Sequence, residues 1–293
     1  MNILELIKKL PDQEACVKHL EKVKWGDKPT CPYCGSVTTY PRTKDLRHNC
    51  RDCGSAFSVT IGTIFHNSHI DLQKWFILMA LMMNAKKSLS ACQASRDLGL
   101  RRPTVWSMMY RIRQAMNNNQ MGLLSGIVEM DETYVGGKPR KEIKKDDNDD
   151  DITPNKRGRG TKKECVAGMV ERDGNVKAFH MDKKKLKGID LQELVRKNVD
   201  TNSSVLMTDE YKAYSRMKNI IAHLQINHQQ AYVNGEIHTN TTESFWALLK
   251  RGIIGQFHKV SAKYLYKYID EFCFRYNQRK NECAFDFLVS KCI

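Results

Sequence analysis

Three acidic side chains and one lysine in the second half of the chain have the types and order that hold divalent metal ions. Asp131 lies in an alternating apolar stretch, "GIVEMDETYVGGK" (126–138). Asp209 follows the apolar run of "SSVLMTDEYKAY" (203–214), and Glu243 and Lys250 share "HTNTTESFWALLKRG" (238–252). A carboxylate inside a buried strand is costly unless something pairs with it, and Asp is disfavoured in mid-strand. Asp131 therefore calls for a partner. Three carboxylates converging from separate elements make a site for a hard cation such as Mg2+, which takes oxygen ligands and keeps positions for phosphate and water. Two such ions ~4 Å apart can activate a nucleophile and stabilise the leaving 3′-oxygen of a phosphodiester. Glu243 and Lys250 fall on one face of a helix, which places Lys250 to meet a DNA backbone as a point charge. Each residue also has a plainer use. Asp209 could cap the helix before "EYKAY", Asn240-Thr-Thr-Glu243 fits a capping box, and Lys250 could be a solvated charge. The combination carries more than any member.

A second constellation is built of sulfur. "CPYCG" and "CRDCG" give C-x2-C-x15-C-x2-C through Cys31, Cys34, Cys50 and Cys53. Four thiolates at this spacing close a tetrahedron around Zn2+. They leave no open coordination position, so the ion is structural rather than catalytic. The glycine after each pair allows the left-handed backbone such a knuckle needs, and the metal supplies the stability that so small a segment lacks. A zinc ribbon of this kind would present Arg47, Arg51 and nearby residues to DNA or stabilise the module beside it. Cys16, Cys92, Cys165, Cys273, Cys283 and Cys292 are scattered thiols without such spacing.

The elements that must position these groups can be read from periodicity. Residues 1–25 form an N-terminal helical segment broken at Pro11, and 26–60 the ribbon. Residues 61–120 are a helical module in which "WFILMALMM" (75–83) is a buried helix. Within it, "LSACQASRDLGLRRPTVWSMMYRIRQAM" (89–116) reads as helix, turn, helix. Gly99 stops the first helix and Pro103 opens the second. Val105, Met108, Met109 and Ile112 face inward, leaving Arg101, Arg102, Arg111 and Arg113 for phosphates or bases in the manner of a helix-turn-helix. Residues 124–293 alternate strands and helices as an α/β domain, with a hairpin turn at Asp173-Gly174. A charged insert at 138–163 is too polar to order itself. The aromatic helix "KYLYKYIDEFCFRYNQRK" reads as core packing, with an oligomer face as the alternative.

The bulk numbers narrow the class. Among 293 residues, 48 Lys and Arg against 33 Asp and Glu leave a net charge of +15. The excess is spread over both halves, which suggests a polyanion partner along much of the molecule. The longest apolar run is too short to span a bilayer and the N-terminus lacks a signal-peptide pattern, so a cytoplasmic, nucleoid-associated protein is expected, with no membrane partner. Ten cysteines in such a compartment point to metal rather than disulfides.

The series "CPYCG…CRDCG", "TIGTIFHNSHIDLQKWF", "MDETYVGGK", "KRGRGTKK", "TDEYKAY", "HTNTTESFW…K" and "EFCFRYN" resembles bacterial insertion-sequence transposases of the zinc-ribbon, DDE type. The resemblance runs from about residue 15 to 280. It implies a ribonuclease-H-like core, a mixed sheet with helices on both faces. It also implies Mg2+-dependent cleavage and strand transfer of DNA, with Mn2+ as substitute. The implied triad is Asp131, Asp209 and Glu243, with Lys250 beside it. Some relatives use asparagine in the third role, which makes Asn240 the alternative ligand. Otherwise Asn240 caps the helix that aims Glu243. The expected partners are double-stranded DNA, as inverted-repeat ends and target, and further copies of the chain, at least a dimer. A DNA-binding regulator with an inactive core and a metal-dependent nuclease without strand transfer are the rival readings.

Overall fold

The computed structural model describes residues 2–117, 122–136, 161, 163–182, 186–226 and 238–293. Apart from Thr161 and Lys163, the charged insert at 138–163 lies outside the described residues. The chain divides into two compact units, Met1–Asn117 with Gln278–Ile293, and Asn118–Asn277.

In the first unit, α1 (Ile3–Lys9) is closed by an Asn2–Glu5 capping box and α2 (Gln13–Trp25) by Asp12. Each side chain takes a backbone N–H that the first turn leaves unpaired. Strands β1 (Thr39–Arg42), β2 (Arg47–Cys50) and β3 (Ala56–Phe57) form an antiparallel sheet. The ribbon's apolar core amounts to Cys31, Cys50 and Phe57, with Trp25 and Ile61 packed against it. Trp25 lies edge-on to Phe57 and His48, and Glu21 binds His48 Nε2 at 2.8 Å. Helix α2, assigned from sequence to a separate N-terminal segment, is thus part of the ribbon's core.

The helices α3 (Leu72–Asn84), α4 (Ala91–Leu98) and α5 (Arg102–Ala115) follow. The apolar run of α3 is buried, as its composition requires. Gly99 ends α4 in the left-handed conformation (φ 62°, ψ 35°), where a side chain would clash. Among the described residues, no helix is long and apolar enough to cross a membrane.

The second unit holds β4 (Leu124–Val135), β5 (Glu164–Glu171), β6 (Val176–Met181), α6 (Gly188–Asn198), β7 (Val199–Thr208), β8 (Ala222–Gln225), α7 (Asn240–Gly252) and α8 (Ala262–Asn277). The sheet order is β6-β5-β4-β7-β8. β4, β5 and β6 pair antiparallel, while β7 runs parallel to both β4 and β8. This is the mixed sheet of a ribonuclease-H-like fold. One face packs Val128, Met130 and Leu206 against Leu191 and Val195 of α6. The opposite face packs Val135, Val166 and Val170 against Phe245, Trp246 and Leu249 of α7 and Leu265 and Phe272 of α8. The Asp173-Gly174 turn is present, with Gly174 N donating to Glu171 O at 3.1 Å and Asp173 at φ 57°. Asn277 closes α8 by pairing both ways with the backbone of Val176, at 2.7 and 2.9 Å, so its amide satisfies a strand position of β6.

The sequence reading carried the sheet domain to residue 293. Instead α9 (Ala284–Lys291) belongs with the first unit, where Phe285 meets Phe76 edge-on at 5.9 Å and Ile64 N donates to Cys292 O at 3.0 Å. Its sequence reads like any apolar helix, so only long-range packing decides where it sits.

Candidate active site

The parallel pairing of β4 and β7 places the first two carboxylates. Glu129 stands opposite Met207, and two residues further along each strand are Asp131 and Asp209. Side chains two apart share a face, so Asp131 lies on the α7 face with Glu129, while Glu132 points to the other. Asp209 sits just past the end of β7, and its Oδ1 accepts from Tyr211 N at 3.0 Å, which shapes the turn that follows. The sequence alternative of a helix cap is realised only as this turn before a short 3-10 segment, Lys212–Tyr214.

Burial, then the charges of Glu132 and Asp209, push the Asp131 carboxyl up to about 7. Backbone donation from Glu132 N at 2.8 Å and side-chain donation from Trp246 Nε1 at 3.0 Å pull the other way. Trp246 comes from α7. Its ring lies over β5 at Gly168, where an added Cβ would come within 2.4 Å of the indole. The missing side chain lets the indole settle on the sheet and reach Asp131. On the other face, Tyr214 is buried and donates to Glu132 Oε2 at 2.6 Å.

Glu243 is exposed, in the first turn of α7. The capping box expected from Asn240 and Glu243 does not form. Thr239 is the N-cap residue, with no side-chain cap bond, and Asn240 is already helical. The cap comes instead from Glu129 of β4, a fully buried carboxylate that takes Thr241 N at 2.8 Å, Thr242 N at 3.1 Å and Thr241 Oγ1 at 2.9 Å. Arg172 Nε binds the same carboxylate at 2.8 Å, and His238 Nδ1 lies 3.3 Å away. Sequence reasoning missed this group. Its signal was a second carboxylate on the buried face of the strand, for which no partner could be named.

Lys250 is half-buried on α7. Burial pulls its ammonium below the ordinary lysine range and Lys163 adds to this, while the charge of Asp131 opposes both. Asp131, Asp209 and Lys250 therefore share one electrostatic environment. Among the described residues, the three carboxylates are not drawn to within 4.8 Å of one another, whereas Cys31, Cys34, Cys50 and Cys53 are. A Mg2+-binding set fits the donors all the same. Asp131 and Asp209 offer two carboxyl groups that interact electrostatically, and a cation between them would oppose the burial and the charges of Glu132 and Asp209 that raise the Asp131 carboxyl.

The four cysteines form the zinc centre the spacing called for. Cys31 Sγ lies 3.7 Å from Cys53 Sγ and Cys34 Sγ 3.5 Å from Cys50 Sγ. Gly35 and Gly54 take φ 75° and 68°, and their N–H groups donate to Cys31 O and Cys50 O, closing two matching knuckles. The donor set is that of a structural Zn2+.

The basic residues separate into two groups. Arg47, Arg51, Arg101 and Arg102 are exposed. Arg113 is only 2% exposed, and Arg111 Nη1 donates to Ile64 O at 3.0 Å and His66 O at 2.9 Å. Both were expected to face DNA; instead Arg111 binds backbone carbonyls of the helical module and Arg113 is buried. Periodicity on α5 could not separate them from Arg101 and Arg102, because a guanidinium can satisfy carbonyls as readily as phosphates. The solvent side of α5 carries Trp106 and Tyr110 stacked at 5.7 Å.

A family model described as the ISXO2-like transposase domain matches residues 123–277, and one described as the transposase zinc-ribbon domain matches residues 11–56. An uncharacterized protein in transposable element ISH50 of Halobacterium salinarum is 28% identical over 254 residues, spanning 84% of each chain. Among solved structures, the Mos1 strand transfer complex aligns with 71% of this chain and 76% of that chain, at 11% identity and a TM-score of 0.25. A Mos1 transposase paired-end complex with the left transposon end gives the same coverage and identity and a TM-score of 0.23.

Proposed function

This chain belongs to the ISXO2-like transposase family, and on that premise we propose that it binds the ends of an insertion sequence, cleaves DNA there and joins the freed 3′-OH to target DNA. The observation that carries the reading is that Asp131 of β4 and Asp209, just past the end of the parallel strand β7, are near enough for the charge of Asp209 to raise the Asp131 carboxyl, under a helix whose Trp246 donates to Asp131. Crevices at such strand ends are where open α/β sheets build their sites.

Mg2+ held by Asp131, Asp209 and Glu243, or by Asn240 in place of Glu243, would polarise the scissile phosphate and raise the acidity of the attacking water or 3′-OH. The chain's own work is positioning. Glu129 anchors the start of α7 to the strand that carries Asp131, and Trp246 fixes the Asp131 carboxylate. Lys250 supplies a positive charge beside Asp131 for a DNA phosphate. Arg101 and Arg102 on the helical module, and Arg47 and Arg51 on the ribbon, supply the exposed cations for the DNA ends. Joining two ends calls for at least two copies of the chain. The domain reading becomes a ribbon with α2 in its core, a helical end-binding module completed by α9, and a catalytic sheet unit.

The test is a strand-transfer assay with purified protein, supercoiled plasmid, Mg2+ or Mn2+, and an end duplex bearing a free 3′-OH taken from the DNA flanking the gene. Wild type should give joined product, and Asp131→Asn or Asp209→Asn none. Glu243→Gln and Asn240→Ala in parallel identify the third ligand. Nicking without joining would favour a nuclease, and end-specific binding without either reaction would favour a regulator.

A further inference from the structure

The loop that leaves Asp209 builds a second feature that the metal site does not use. Lys212, Ala213, Ser215 and Arg216 on that loop and Lys187 and Gly188 at the start of α6 line a cavity of about 220 Å³. This is below the roughly 300–1,000 Å³ of pockets that hold whole small molecules, and it suits a single compact group. Three of its lining residues are cations and none is acidic. Among the described residues, Lys187, Lys212 and Arg216 form no ion pair with an acid. The nearest carboxylate on α6, Asp190, is turned to the backbone and accepts from Lys187 N at 3.3 Å.

The close approach of the two elements is built into the sequence. A Cβ on Gly188 would stand 2.9 Å from Ala213 O, so any other residue would push the loop off the helix and open the cavity. Gln192 Nε2 donates to Arg216 O, and Tyr211 OH reaches Leu186 O at 3.5 Å, tying the loop to α6 from both sides. Converging positive charges held apart at a fixed concavity repel one another unless an anion joins them.

We propose that this pocket is a phosphate-binding subsite that holds the DNA backbone on the α6 side of the loop that follows Asp209. The inference rests on the reading of the chain as a DNA transposase. The ligand is a phosphodiester, recognised through charge and the guanidinium of Arg216 rather than through a base. Because the same loop carries Asp209, a phosphate seated here would fix that strand relative to the reacting one.

The experiment measures binding of the full chain to an end duplex by fluorescence anisotropy between about 50 and 300 mM NaCl, a range in which counterion release is read from the salt dependence. The variant K187Q/K212Q/R216Q is compared with wild type and with a charge-matched control, R196Q/K197Q/K263Q. All three positions in each set are exposed, and circular dichroism checks that both variants fold. Each DNA phosphate that the protein no longer neutralises lowers the slope of log Kobs against log salt by about 0.9. The expected result is a slope smaller by about 1 to 3 for the pocket variant and unchanged for the control. An unchanged slope for the pocket variant, or an equal loss in both, overturns the proposal. Joining is scored in the same samples. Wild type that binds with the expected slopes but never joins DNA refutes the transposase chemistry and leaves the phosphate subsite standing.

Discussion

Replacing Glu129 tests how the site is held together. The carboxylate is 0% exposed and accepts four hydrogen bonds, two from backbone N–H groups at the start of α7, one from Thr241 Oγ1 and one from Arg172 Nε. Glu129→Ala removes the cap of α7, a loss of about 1 kcal/mol, and leaves the mostly buried Arg172 guanidinium without its carboxylate. Removing one partner of a buried pair costs roughly 3–5 kcal/mol, and that figure already includes most of the cap's contribution because the same oxygens serve both. At about 2–4 °C per kcal/mol for a unit of this size, the melting transition of the sheet unit should fall by on the order of 10 °C. Glu129→Gln keeps the shape and one acceptor oxygen but turns an amide NH2 toward the donors, so its loss should be intermediate. The assay is calorimetry of the full chain, read on the transition that wild-type DNA or metal shifts. The double variant Glu129→Met/Arg172→Met is measured beside the two single ones. Removing both charges should cost clearly less than the sum of the single losses, because neither is then left buried alone. Additivity within about 0.5 kcal/mol, or a Glu129→Ala melting point within a degree or so of wild type, would refute the claim that this carboxylate anchors α7.

Four further outcomes follow from the geometry. The Asp131 carboxyl is raised from 3.8 to about 7, first by burial and then by Glu132 and Asp209; a raised acid stabilises the fold fully at low pH and loses that contribution as pH climbs to 7. A rise of this size corresponds to a ceiling of about 4 kcal/mol, so metal-free Asp131→Asn should melt above wild type at pH 8 but not at pH 4. A wild-type advantage at pH 8 without metal would contradict this. Gly168→Ala should cost about 1–3 kcal/mol and cut joining, since its Cβ meets Trp246 at 2.4 Å; unchanged Trp246 fluorescence and joining would rule out the contact. Chelation should unfold the ribbon and release one Zn2+ per chain, measured by atomic absorption and circular dichroism; a ribbon that keeps its structure in chelator would show that metal does not stabilise it. Arg101→Ala/Arg102→Ala should weaken end binding with no loss of stability, whereas Arg113→Ala should lower the melting temperature; the reverse pattern would return Arg113 to the DNA surface.

What the sequence determined by itself was local chemistry. The cysteine spacing specified the zinc centre because two-residue gaps and following glycines fix each knuckle within a few residues. The alternation in "GIVEMDETYV" separated the face of Met130 from the face of Asp131 because strand periodicity is a property of the backbone. Tertiary structure decided everything that depends on which segments meet. Asn240 and Glu243 satisfied the capping pattern, yet Glu129 of β4 reached the helix first in space, and a buried carboxylate with two backbone donors outcompetes an exposed local one. Arg111 and Arg113 looked like Arg101 and Arg102 until the carbonyls bound by Arg111 and the burial of Arg113 separated them. Helix α9 showed no mark of its partner, because an apolar stripe states only that it must be covered and not by what. The pairing of Asp131 with Asp209 stood between these cases. Each residue could be singled out on its own, but only the parallel pairing of β4 with β7 brought Asp209 near enough for its charge to act on Asp131, since registers are set by pairing between distant segments.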